Sequence, residues 1–406
     1  MTSLRTAFFI AYKSIARGHR GTFALMLVIL CLSFFNMLFI PGVFSGLLDT
    51  IIGLETDTYT SHIMIEPQKE PIPKEFIENQ SRLRGEVQTI PGIVGTARTY
   101  LTAGSISFDK EKNGVFKRVS AQIIGIDPSE AKQILTLERF LVDGTFLDDG
   151  DSDQIILAAA VAGGFDLPQS NDLGGARAGD LVTVVYGNGV SREYRVKGIT
   201  NILFGPALTN TYITAKEADS VLGASDEASQ ILVKVDDINR SNYYKTRIEQ
   251  LAPNLRIQSY IDLLTAIKPI LDAFTLIAII VSAISVLVAA ITIFVMIYIN
   301  AVGKRRQIGI LKAIGIKENI IVYSYVFQSL FFVLCGLVVG MIFVFGVLLP
   351  LLTQYPIMLP FGALHLVFSL RLVIEGMLGF LIAGFFSGLI PARLVAREKI
   401  LTAIWG

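Results

Sequence analysis

Four stretches of this 406-residue chain carry almost no charge, and they limit what it can fold into more than any other feature. Thr22–Leu48 and Ala273–Gly303 contain no Asp, Glu, Lys, Arg or His. Asn319–Leu370 contains only His365 of these, and Leu372–Ala392 only Glu375. A helix needs about 20 apolar residues to cross the hydrocarbon core of a bilayer. The spacing predicts four transmembrane helices, over 22–48, 269–300, 320–350 and 372–392. Pro350, Pro356 and Pro360 break the third stretch into a helix and an outer loop, 351–371. A polar insert, 49–268, separates the first two helices. The expected fold class is therefore membrane α-helical, with a large α+β extracytoplasmic domain inserted between helices 1 and 2.

Basic residues set the expected orientation. Of 35 Lys+Arg, 13 lie outside the insert, and twelve of these fall on one side of a four-helix topology. They are Arg5, Lys13, Arg17 and Arg20 in segment 1–21, Lys304, Arg305, Arg306, Lys312 and Lys317 in segment 301–319, and Arg393, Arg397 and Lys399 in the tail 393–406. Only Arg371 falls on the other side. The positive-inside rule makes the basic side cytoplasmic. The chain reads as a multi-pass protein of the cytoplasmic membrane, with both termini inside and the insert outside. A cysteine placed at Asn188 should then react with an impermeant thiol reagent in whole cells or spheroplasts, and one at Gln307 should not. Labelling at Gln307 in intact cells would reverse this orientation. The insert holds 30 Asp+Glu and 22 Lys+Arg, a mildly acidic balance that argues against a nucleic-acid partner.

The N-terminal apolar run is longer than the 7–15 residues of a cleaved signal peptide, so it reads as an anchor that stays. Leu4, Phe8, Ala11 and Ile15 recur before it at helical spacing, among basic residues. That pattern suits an interfacial helix with its basic face on membrane lipids; a plain charge cluster at the start of the membrane fits equally well. Cys31 and Cys335 both fall in membrane helices, so no disulfide holds the insert.

Within the insert, alternation predicts strands at Ser61–Glu66, Gly95–Phe108, Val115–Ile126, Thr211–Thr214 and Gln230–Val235. A hairpin, Asp180–Tyr186 with Glu193–Ile199, turns at Gly187-Asn188-Gly189. Helices are expected over Lys74–Ile90, Pro128–Arg139 and Ser241–Leu251, and Gln154–Leu167 begins as a strand. One domain, or two lobes with the second over 145–230, both fit.

No catalytic or metal site is evident. His19, His62 and His365 lie in different segments without ligand spacing. The run Asp148, Asp149, Asp151, Asp153 lacks the Gly and terminal Glu of an EF-hand loop and reads as a solvated turn. No phosphate-binding G-x-x-x-x-G-K-[ST] occurs. No cofactor is expected on this chain.

The segment after helix two is more specific. It begins with Lys304, Arg305, Arg306 and Gln307; Ile308, Leu311, Lys312 and Ile314 follow at roughly helical spacing, and Gly315 is placed to end a short helix. Such a helix offers apolar knobs to a partner, or serves only as a topology-setting basic loop. Gly336 with Gly340, and Gly384 with Gly388, are small-x-x-x-small motifs for close helix packing. In helix one, Asn36 is a candidate for a cross-helix bond and Pro41 for a kink. Helix two reads as starting without a clear break from about Ile261.

Residues 304–316, Lys-Arg-Arg-Gln-Ile-Gly-Ile-Leu-Lys-Ala-Ile-Gly-Ile, resemble the signature after the second helix of ABC transporter permeases of the MacB/FtsX/lipoprotein-releasing type. Ile390–Arg397 is similar to the Pro-Ala-Arg motif closing these permeases, and Gly125–Pro128 and Gly179–Val182 to phrases of their extracytoplasmic domain. Gln307 stands where the family usually has Glu, and Leu401-Thr402 where a Pro is common. The resemblance implies a mechanotransmitter. Two permease chains, identical or not, each dock an ATPase subunit that carries ATP and Mg. Arg305, Arg306, Gln307, Ile308, Leu311, Lys312, Ile314 and Gly315 would form the coupling segment. Helices one and two would line a lateral opening, making Asn36, Met37, Pro41, Phe44 and Leu47 candidate substrate-side residues. The implied function is extraction of a lipoprotein or lipid from the outer leaflet, with a periplasmic adaptor as a further partner. Peptide, toxin or drug export, regulation of a cell-wall hydrolase, and a scaffold without an ATPase are alternatives.

Overall fold

The computed structural model describes residues 2–16, 20–68, 76–165, 171–203, 205–265, 268–359 and 362–397. The chain divides into two compact units, Met1–Leu48 with Pro269–Gly406, and Asp49–Lys268.

Among the described residues, four helical spans are long and apolar enough to cross a membrane: Gly21–Thr60, Lys268–Gly303, Glu318–Gln354 and Leu370–Ala396. The expected end of helix one at 48 is corrected. Its α-helix runs over Arg20–Glu55 and continues as a π-helical turn, Thr56–Thr60. The loss of apolarity at Asp49 marks the edge of an apolar stretch, which is not a helix stop. The hydroxyls of Thr56 and Thr58 donate to the carbonyls of Ile52 and Leu54 at 2.9 and 2.6 Å, supplying donors near the helix end. The third helix likewise passes Pro350, because this proline lies in the first turn of Leu349–Gln354, where a missing N–H is tolerated. A π-helical stretch, Ile342–Leu348, precedes it. The expected outer loop contains two short paired strands, Ile357–Leu359 and Gly362–Leu364. The fourth helix starts under a cap in which Ser369 Oγ accepts from Leu372 N–H at 3.2 Å.

Glycines set the packing of this unit. A Cβ on Gly336 or Gly340 would lie 2.7 Å from Leu30 Cβ or Phe34 Cδ1 of helix one. A Cβ on Gly384 or Gly388 would collide with Val333 or Ser329 of helix three. Helix three is thus gripped from both sides, and Phe34 meets Phe380 edge to face at 5.6 Å. The N-terminal helix, Thr2–Ala16, turns a different face inward than its larger side chains suggest. Ala7 and Ala11 are buried while Phe8 is 62% exposed, since small residues allow closer helix approach.

The second unit holds a ten-stranded mixed sheet. Ile93–Phe108, 16 residues long, is its spine. Its first half pairs with Gln230–Val235, which leads through Ile63–Pro67 to Leu255–Ser259. Its second half pairs with Leu181–Tyr186. From there the ladder passes through Ser191–Thr200, Gln154–Ala158, Thr211–Thr214 and Lys117–Ile126 back to the spine, closing six strands into a ring. The ring encloses Tyr100, Ile106, Ile123, Ile155, Val184 and Tyr194, all fully or almost fully buried. Arg98 ties the spine to flanking segments. Its Nε donates to Asp127 at 2.7 Å and its Nη2 to Asp219 at 3.2 Å, with the side chain 14% exposed.

Three local readings change. The helix read over 74–90 is a two-residue strand, Ile77–Glu78, followed by Gln80–Gln88; residues 74–75 lie outside the described residues. The helix read over 128–139 is Pro128–Ile134 and then a 3-10 turn, Leu137–Phe140. The continuity read into helix two falls partly on 266–267, which lie outside the described residues, between Tyr260–Leu264 and Lys268–Gly303. In the aspartate cluster, Lys197 Nζ donates to Asp148 at 2.8 Å and Asp151 at 2.5 Å, so a lysine ammonium bridges two of the four carboxylates. Among the described residues no group of three or more His, Cys, Asp and Glu is placed to hold a metal ion.

Candidate functional site

A groove of about 710 Å³ in the membrane unit is lined by residues of helices one, two and four. Helix one contributes Met37, Pro41, Phe44, Ser45 and Leu48. Their spacing of four, three, one and three places them on one face of a 3.6-residue helix. Leu47 lies about 160° round the helix from Ser45 at 100° per residue, and it does not line the groove. Phe44 stacks on Phe274 of helix two, with ring centroids 4.9 Å apart and planes at 18°. Gly376 of helix four makes room for Met37: a Cβ there would collide with the methionine Cε.

Pro41 lies inside a continuous helix. It has no N–H, so the carbonyl one turn back, at Met37, loses its helical donor. Ser282 of helix two supplies one: its Oγ donates to Met37 O at 3.4 Å. Hydroxyls re-satisfy proline-freed carbonyls in this way within membranes. Asn36 points elsewhere. Its Nδ2 donates to Ser285 Oγ at 3.0 Å, and both residues line a separate cleft of about 370 Å³. Polar groups in the main groove are few: Ser45, Thr275, Ser282 and the carboxylate of Glu375. Glu375 accepts from Arg371 Nε at 2.7 Å one turn earlier, and the pair is exposed. Glu375, Ser282 and Phe274 escaped selection from sequence. The lone acidic residue in a charge-free helix was the available signal for Glu375.

The second feature is the short helix Arg305–Ala313. It ends in a Schellman motif: Gly315, at φ +97°, donates to Lys312 O at 3.0 Å, and Ile316 N–H to Leu311 O at 3.1 Å. Ile308 is buried at 4% exposure and Leu311 is half-buried, so these two are not outward knobs. The outward apolar pair is Ile310 and Ile314, 49% and 71% exposed. Ile308 and Ile310 lie about 200° apart on the helix and so face opposite ways. Arg306 and Gln307 are exposed, and Arg305 is half-exposed. Lys312 is 10% exposed; its Nζ bonds Glu318 Oε1 and the carbonyl of Ala396, each at 2.7 Å. It thereby ties this helix to the last turn of helix four, where lone carbonyls accept a cation readily.

The chain is similar to several known proteins. The family described as "FtsX-like permease C-terminal" matches residues 279–400. The "Putative hemin transport system permease protein HrtB" of Staphylococcus haemolyticus is 25% identical over 405 residues, covering 98% of this chain and 99% of that protein. An uncharacterized ABC transporter permease of Methanocaldococcus jannaschii is 27% identical over 195 residues, covering 48% of this chain and 45% of that one. Two solved domains are also similar. The extracellular domain of the noncanonic ABC-type transporter YknZ from Gram-positive bacteria covers 49% of this chain and 98% of its own, at 11% identity and a TM-score of 0.35. The periplasmic region of MacB from Actinobacillus actinomycetemcomitans covers 54% and 98%, at 13% identity and a TM-score of 0.37.

Proposed function

We propose that this chain, an ABC transporter permease of the FtsX/MacB type in the cell membrane, expels a compact amphipathic molecule from the outer half of that membrane. Permeases of this kind work with an ATPase subunit and are typically not themselves catalytic. In this reading a second permease chain completes the transporter, and the 305–313 helix receives the ATPase stroke. Lys312 passes that stroke to the end of helix four, whose other end carries the Glu375 rim of the groove.

The groove is the observation that carries the reading. Its walls are nearly all apolar, so an apolar body entering from lipid keeps its surroundings and gives up little solvation. The few hydroxyls and one carboxylate would orient a polar edge. The full-length similarity to a named hemin transport permease favours a ligand of that class: a flat apolar body with carboxylates at one edge. A lipoprotein is the second reading, because acyl chains suit the same apolar walls.

A photo-crosslinker at Phe44 or Leu48 is expected to capture added hemin in the nucleotide-free state. One at Leu47 should not. Capture should fall severalfold once the partner ATPase is trapped with vanadate. Lipoprotein capture at Phe44 and Leu48 would select the second reading. Equal capture at Leu47 would sink the groove as the site.

A further inference from the structure

At the basic end of the membrane unit, against the N-terminal helix, lies another cavity, of about 430 Å³. Its polar wall includes Lys13, Ser14, Lys304 and Gln328, and its apolar wall Phe9 and Tyr325. Lys304 is held on its wall by two successive bonds. Its Nζ donates to Ser14 Oγ at 2.6 Å, and that hydroxyl donates to Gln328 Oε1 at 3.2 Å.

Among the described residues, the half-buried Lys304 ammonium has a hydroxyl as its only hydrogen-bond partner, and no carboxylate pairs with it. Burial pushes it below the ordinary lysine value. A buried cation without a counter-charge is costly. Lys13 lies on the same wall, its Nζ 5.5 Å from the Phe9 ring. Tyr325 is 5% exposed and its hydroxyl makes no hydrogen bond with a described residue. Among the described residues the lining therefore offers two ammonium groups, a spare hydroxyl and no carboxylate. That is a donor set for an anion. Phe8, Phe9 and Tyr12 on the same helix are 62%, 61% and 66% exposed, the aromatic dressing of a helix at headgroup depth.

We propose that this cavity binds a phosphate group, paired with Lys304 and Lys13 and hydrogen-bonded by Tyr325, and that the phosphate belongs to an anionic phospholipid clasping the N-terminal helix against the start of the 305–313 helix. The phospholipid source follows from the apolar wall and the exposed aromatics, which a free anion would not use. The inference is independent of which substrate the main groove takes.

The test uses the full chain in nanodiscs of mixed phosphatidylcholine and phosphatidylglycerol, with retained lipid counted by native mass spectrometry. Wild type should retain phosphatidylglycerol, and Lys304→Gln should retain about tenfold less, the loss of one charge-assisted bond. Lys304→Arg should restore retention, and Lys317→Gln, outside the cavity, should leave it unchanged. A parallel arm adds inorganic phosphate to delipidated protein. A rise in thermal midpoint lost in Lys304→Gln, with no lipid retained, would keep the phosphate site and overturn its lipid source. Equal lipid retention in wild type and Lys304→Gln, with no response to phosphate, would overturn the proposal, as would an equal loss in Lys317→Gln.

Discussion

Gly388→Leu is expected to lower the thermal midpoint of the purified protein by roughly 6–12 °C, the equivalent of about 3 kcal/mol of overpacking. Even a Cβ at this position collides with Ser329, which is fully buried and donates to Val326 O at 2.8 Å. The serine cannot swing away without breaking that bond in an apolar interior. Helix four must instead back off from helix three. The displacement reaches the next contact on the same face, Gly384 against Val333. Gly388→Ala should sit between wild type and the leucine variant. A leucine variant that melts with wild type in differential scanning fluorimetry would mean that the two helices do not pack on this stripe.

Ile314→Asp is expected to abolish copurification of the ATPase while the permease still inserts. Ile314 is 71% exposed at the end of the 305–313 helix, so the change disturbs no core of this chain. It does place a carboxylate where a partner would bury an isoleucine. Leaving a charge unpaired there costs about 2–4 kcal/mol, or roughly 30- to 1000-fold in affinity. Leu311→Asp is the poorer test, because Leu311 is half-buried beside the N-terminal helix and its loss would also damage that packing. Unchanged copurification and ATPase stimulation in Ile314→Asp would place the contact elsewhere.

The membrane plan is legible in the sequence because it rests on one strong quantity, the absence of charge over bilayer length. Helix-packing glycines are legible for a related reason: spacing of four puts both on one face whatever the neighbour. Which neighbour they meet is not, since Leu30 and Phe34 carry no matching signal. Which side of helix one turns inward at Leu47 is not legible, because in an apolar helix no polar face marks it. The ring of strands was illegible for another reason. It closes through Ile93–Phe108, whose two halves pair with strands far apart in the chain. Alternation finds such a strand but says nothing of its partners. Lys304 and Ser14, 290 positions apart, meet only through the packing of the N-terminal helix.

The carbonyl that Pro41 leaves without a helical donor would attach a penalty to any parting of helices one and two. While helices one and two touch, Ser282 satisfies Met37 O. If they part with nothing between them, an unmatched acceptor faces hydrocarbon, at a cost of several kcal/mol. If they part around a molecule that brings its own hydroxyl or acid proton, the penalty is relieved. Opening and occupancy would then be thermodynamically linked through a single backbone oxygen. A guest without a hydrogen-bond donor would have to force the helices apart unaided. A guest with both an apolar body and a hydrogen-bond donor would therefore open the groove more cheaply than a lipid tail alone.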